Sequence, residues 1–285
     1  MANRNLIRFD WAMKRLLRNK ASYSVLEGFL SELLKEDIEI QSILESESNR
    51  QFDNDKSNRV DMLVKNSKEE LIIIEIQNQS EYDYFHRMAY GASKVLTEYI
   101  KVGEHYSEIK KVFSINVVYF DLGQGDDYIY HGKTDFFGVH KADKLLLSAK
   151  QKELLGKVEP FQIFPEYYVI KVNQFDNVAK NTLDQWIYYF KNNEIKEEFT
   201  AKGINQAKEL LRVDKLSADE QINYKAHLKN LRNEATRIWN LKMDAELRVR
   251  EDERVIMIKR MKRENIPVDI IARLTGLTKE EIEKL

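Results

Sequence analysis

The chain contains no cysteine, which excludes a disulfide framework and a cysteine-ligated zinc site. Its 5 histidines, at 86, 105, 131, 140 and 227, are scattered with no H-E-x-x-H spacing, so a histidine-rich zinc site is not expected either. With 3 prolines and 10 glycines there is no Pro/Gly/Ser-rich linker, and no internal repeat is visible. Long apolar runs are missing too. No segment approaches the ~20 apolar residues of a membrane span, and the opening MANRNLIRFDW lacks the apolar stretch of a signal peptide. These absences lead us to expect a cytoplasmic protein with no membrane partner. Excess charge of one sign is also absent: 46 Lys+Arg against 47 Asp+Glu leave a net charge of -1. A strongly basic protein is thereby excluded. A local basic groove is not, because binding depends on local charge.

Apolar and charged residues are both plentiful. Of 285 residues 43% are apolar, enough for a sizeable core in one large domain or two smaller ones, and 33% are charged. Residues 11–19 read as a helix with Asp10 as N-cap. Val25, Leu26, Phe29, Leu30, Leu33 and Leu34 recur at helical period over 23–35. The polar run 46–58 reads as a loop. RVDMLV (59–64) and ELIIIEIQ (70–77), separated by KNSKE, read as a hairpin of two buried strands. Asp83 is the expected cap of a helix over 84–101, with Phe85, Met88, Ala92, Val95 or Leu96, and Tyr99 on one face. KVFSINVVYF (111–120) reads as a third strand, DLGQGDD as a turn, and 128–139 as holding another strand.

From about residue 141 the pattern is mostly helical, with segments at 142–155, 177–192 and 205–213 and a long charged helix over 219–265. The long helix suits a solvated strut, a dimer-forming helix or a DNA contact. Aromatic residues such as Phe164, Tyr167, Tyr168, Trp186 and Tyr189 are expected to pack these later segments onto the sheet. After Pro267 come two short helices broken at Gly276, and Thr278 with Glu281 forms a capping box for the second.

The stretch LIIIEIQ (71–77) sets a glutamate in an apolar strand, which is costly unless something pairs with it. A turn centred near Lys68 places Asp61 directly opposite Glu75, ~5 Å away on one face. Gln77, two residues on, shares that face. Two carboxylates so close repel each other. A divalent cation such as Mg²⁺, which takes oxygen ligands, would compensate both. Otherwise one carboxylate pairs with Arg59 or Arg87, or turns to solvent.

These residues resemble a family. R-V-D, a short hairpin and I-E-I-Q are similar to the PD-(D/E)XK nuclease superfamily, and most closely to its transposase-like, recombination-promoting branch. FDWAMKRLL (9–17) is similar to that branch's opening F-D-x-x-F-K-x-L. Residues 81–120, TLDQWIYYFKN (182–192) and the tail 266–285 also resemble its later segments in order and spacing. The resemblance implies an α/β fold, a restriction-endonuclease-like mixed central sheet flanked by helices, with a nuclease-like domain over 1–195 and a helical region over 196–285. It implies Mg²⁺-dependent cleavage of DNA phosphodiesters, with Mn²⁺ able to substitute. Asp61 and Glu75 match the two acids and would ligate the metal, with the Ile76 carbonyl as a third oxygen. Gln77 stands where the superfamily name places lysine, and Val60 where it places proline.

Glutamine can orient water or phosphate but brings no charge, so stabilisation falls on the metal and nearby cations. Among cations, Arg87 is better placed than Lys65. Arg87, Lys94 and Lys101 recur every seven residues and could follow a DNA backbone, as could Arg59. Asp10 matches the family's opening aspartate and is a candidate third acid, with Glu27 a weaker alternative. Tyr82, Tyr84, Phe85 and Tyr90 suit either a groove wall or base stacking. The competing functions are a DNA-binding or assembly module on a weakened nuclease scaffold and a protein-interaction module built on the long helix. The C-terminal helices are the expected route to a homo-oligomer.

Overall fold

LIIIEIQ is buried on both sides because it lies inside a sheet covered on two faces, and a strand so placed needs no polar alternation. The computed structural model describes residues 6–44, 61–100 and 103–285. The polar run 46–58 lies outside the described residues.

Strands β1 (Ile40–Leu44), β2 (Met62–Asn66), β3 (Leu71–Gln77), β4 (Val112–Val118), β5 (Ile129–Gly132) and β6 (Glu166–Lys171) form one sheet in the order β1-β2-β3-β4-β6-β5. The hairpin has the expected register: Met62 pairs with Ile74 and Lys65 with Leu71. β3, β4 and β6 run parallel at the centre, and β1, β2 and β5 are antiparallel to their neighbours.

Helix α3 (Tyr84–Glu98) connects β3 to β4 and covers one face of the sheet. Ala92 and Val95 pack with Leu63, Leu71, Ile73 and Val112, and Tyr84 and Met88 pack with Val118 and Val169. The buried row therefore starts at Tyr84, and Phe85, expected there, is 55% exposed. Helices α1 (Phe9–Arg15), α2 (Tyr23–Leu34) and α5 (Thr182–Asn192) share an aromatic core in which Phe9 stacks on Phe190 at 4.2 Å and Phe29 meets Phe190 edge-on at 4.9 Å. The Tyr119 hydroxyl donates to the Phe190 carbonyl at 3.0 Å, tying the end of β4 to α5.

Two strands escaped the sequence pattern. β6 places Tyr167 and Tyr168 within the sheet itself. Its end residues Glu166 and Lys171 are both buried, and Glu166 is paired with Lys111 at 2.8 Å. β1 is a short edge strand. The helix expected over 142–155 shortens to α4 (Ala149–Leu155). Asp10 is not the N-cap of α1: Arg8 holds that position, and Asp10 lies in the first turn. Asp83 is the N-cap residue of α3, but its side chain makes no capping bond.

Contacts divide the chain into one unit through Leu216 and another from Ser217, a boundary later than residue 195. The reason is α6 (Ile204–Leu210), which meets α2 so closely that a Cβ on Gly28 would lie 2.3 Å from the Lys202 carbonyl oxygen. The second unit opens with a capping box at Ser217 and comprises α7 (Ala218–Arg263), α8 (Val268–Thr275) and α9 (Lys279–Lys284). Ile258, Ile271 and Ile282 form its small core, and the Thr278–Glu281 capping box is present. Among the described residues no helix is long and apolar enough to cross a membrane. The mixed sheet, flanking helices and helical C-terminal region are consistent with a restriction-endonuclease-like α/β fold.

Candidate active site

The carboxyl ends of β3 and β4 bring the polar residues of the hairpin together. Asp61 sits at a bend one residue before β2, so its side chain is free to reach across to β3. Its Oδ2 accepts the Ile76 N–H at 2.8 Å. The N–H and C=O of one strand residue point to the same edge, so the Ile76 carbonyl faces the Asp61 side. Lys14 Nζ lies 3.0 Å from Asp61 Oδ1, and Arg18 Nη2 donates to the Asp61 carbonyl at 2.8 Å.

Glu75 is 7% exposed and faces α3. Arg87 Nη2 reaches it at 3.3 Å, while Nη1 of the same guanidinium contacts Glu81 at 3.0 Å. Gln77 Nε2 also donates to Glu81. The partner of the buried glutamate in the described chain is therefore Arg87. Burial pushes the Glu75 carboxyl up to about 7; Arg87 and Lys14 pull it down, and Asp61 and Glu81 push it further up. Burial draws the Arg87 guanidinium down, yet Glu75 and Glu81 hold it above its ordinary value. Beneath Glu75, the buried Tyr84 hydroxyl donates to Asn116 Oδ1 at 3.3 Å, and burial, with Glu75 adding, pushes that hydroxyl well up.

The other sequence-derived residues take different places. Asp10 is 1% exposed and paired with Arg8 at 3.1 Å; it also accepts Asn78 Nδ2 at 3.0 Å. It anchors α1 to the residue after Gln77. Among the described residues no three acids or histidines close around one point, so Asp10 does not complete a three-acid group with Asp61 and Glu75. Glu27 accepts the Ile40 N–H at 2.9 Å and belongs to the β1 edge. Lys94 pairs with Glu98 at 3.6 Å along α3. Arg59 and Lys101 lie outside the described residues. Tyr84 is core, whereas Tyr82, Phe85 and Tyr90 are exposed.

Sequence reasoning missed Lys14, Arg18 and Glu81. A signal for the first two existed, because Lys14 and Arg18 stand four apart on the opening amphipathic stretch. Their target, Asp61, becomes visible only when α1 meets the hairpin.

The donor set suits a hard cation. Two carboxylates and a carbonyl supply oxygen, no thiol exists in the chain, and Mg²⁺ characteristically binds one or two carboxylates while keeping waters. The mutual repulsion of Asp61 and Glu75, offset here by Lys14 and Arg87, is what a divalent charge would relieve.

No curated protein and no solved structure matches the chain. The sequence model of the family described as PD-(D/E)XK nuclease family transposase matches residues 7–240, and the chain belongs to that family.

Proposed function

We propose that the protein is a metal-dependent DNA endonuclease. Membership of a nuclease family gives the coarser part, a nuclease-type hydrolase acting on nucleic acid. The observation carrying the finer part is the convergence of Asp61 and Glu75 at the end of a buried hairpin, each neutralised by a side-chain cation. Asp61, Glu75 and the Ile76 carbonyl would hold Mg²⁺, with Mn²⁺ able to substitute. Bound there, the ion would supply Lewis-acid stabilisation of charge on the phosphate. The reaction adds one water across the phosphodiester: an O–P bond forms, the P–O bond to the leaving oxygen breaks, and that oxygen takes up a proton. Arg87 orients Glu75. Gln77 shares Glu75's face and orients water or phosphate through its amide.

The exposed Lys14, Arg15 and Arg18 form a basic edge beside Asp61 for the DNA backbone, with Arg59 and Lys94 as further contacts. The protein acts in the cytoplasm and self-associates through α7, whose Ile238, Trp239, Leu241 and Leu247 are exposed.

The alternative is a catalytically weak scaffold that binds DNA or assembles with it. The neutral Gln77 in place of lysine favours that reading. Nicking of supercoiled plasmid in Mg²⁺, Mn²⁺ or EDTA separates the two. Metal-dependent nicking that Asp61→Ala and Glu75→Ala both abolish supports the enzyme. DNA binding without cleavage supports the scaffold.

A further inference from the structure

Among the described residues two side-chain cations sit against the carboxylates of the site, and they are held very differently. Arg87 is shared between Glu75 and Glu81, and its Nε is buried. Among the described residues Lys14 has one ion pair, with Asp61, and its side chain is 51% exposed. Water solvates a lysine this exposed almost as well as the pair does, so little opposes its release. Its backbone, by contrast, is well fixed. Asp10 pins the start of α1 to Asn78, and Arg18 pins the chain beyond α1 to the Asp61 carbonyl. A movable ammonium is thus carried on a rigid base beside the acid pair. Across the strand, position 77 offers an uncharged amide already engaged with Glu81.

We propose that Lys14 is the phosphate-binding cation of this site, parked on Asp61 until the reaction needs it. In the metal-free chain Lys14 neutralises Asp61. When a divalent cation is bound, Lys14 leaves the carboxylate and donates to a non-bridging oxygen of the scissile phosphodiester. It supplies the charge that Gln77 lacks, and no proton is transferred. The inference rests on the endonuclease reading above. It gives Lys14 two opposed effects: it competes with the metal for Asp61, and it stabilises charge on the reacting phosphate.

The test measures Mn²⁺ affinity by calorimetry and single-turnover nicking of plasmid for wild type, Lys14→Met, Lys14→Arg and Asp61→Ala, each checked for folding by circular dichroism. Lys14→Met is expected to bind Mn²⁺ at least as tightly as wild type and to cut about 100-fold more slowly, the scale of losing one donor to a developing oxyanion. Lys14→Arg is expected to recover at least about tenfold of that loss, because it restores the charge. Wild-type cutting by Lys14→Met, with Asp61→Ala inactive, overturns the role of Lys14 and leaves the endonuclease reading intact. Parallel loss of Mn²⁺ binding and cutting in Lys14→Met also overturns it, since Lys14 would then only shape Asp61. If wild type shows no metal-dependent cutting that Asp61→Ala removes, both readings fall together.

Discussion

Glu75 is the residue at which burial and charge conflict most sharply. Its carboxyl titrates at about 7 in the fold against 4.5 ordinarily, so the folded chain holds the proton more tightly between those values. The sign follows: the cost of burying the charge is absent below about 4.5 and complete above about 7. We expect metal-free wild type to lose up to about 3 kcal/mol over that window relative to Glu75→Gln, which carries no such charge. Urea unfolding of both chains near pH 5 and near pH 8 checks this; equal pH dependence would contradict it. Asp10 offers the opposite case. Asp10→Ala strips Arg8 of a buried partner and is expected to cost about 3 kcal/mol. We propose that Asp10 serves as the anchor of α1 rather than as a ligand, so the Mn²⁺ affinity of Asp10→Ala below the melting range should equal that of wild type. Tighter dependence of Mn²⁺ binding on Asp10 would restore it as a ligand.

At the scale of elements, the hairpin was the most legible part of the chain. Its register follows from KNSKE and two apolar runs, and a one-residue slip would carry Asp61 and Glu75 to opposite faces. The acid pair was legible for the same reason. β6 was not, because Glu166 and Lys171 bracket its apolar residues and disguise a central strand as a polar segment. Glu166 is held by a tertiary partner, Lys111, which also donates to the Phe161 and Phe164 carbonyls at 2.7 and 2.6 Å, while the Lys171 ammonium lies over the Tyr130 ring at 5.8 Å. Lys14 was hidden as a functional residue likewise, since it acts on a carboxylate distant in sequence, whereas Arg87, in the helix that follows the strand, was legible as a partner of the acid pair. The α2–α6 crossing gives the elements their own test. Gly28→Ala would press a Cβ onto the Lys202 carbonyl at 2.3 Å, where backbone must give way. We expect a loss of about 2 kcal/mol and a melting temperature several degrees lower. An unchanged melting temperature would show that the crossing relaxes freely.

For the whole molecule, the chain separates into a sheet-containing unit that carries both acids and a helical unit built on α7. The exposed apolar residues of α7 belong to a helix of 46 residues, long for one with so little burial. Paired helices would cover them. Sedimentation of wild type is expected to give a dimer, and Trp239→Asp with Leu247→Asp a monomer; a monomeric wild type contradicts self-association. The central claim concerns the first unit alone: Asp61 and Glu75 act together on one divalent cation. Calorimetric titration of Mn²⁺ into wild type, Asp61→Ala and Glu75→Ala tests it most directly. The account predicts one site in wild type that either substitution removes. A site that survives both substitutions would contradict it.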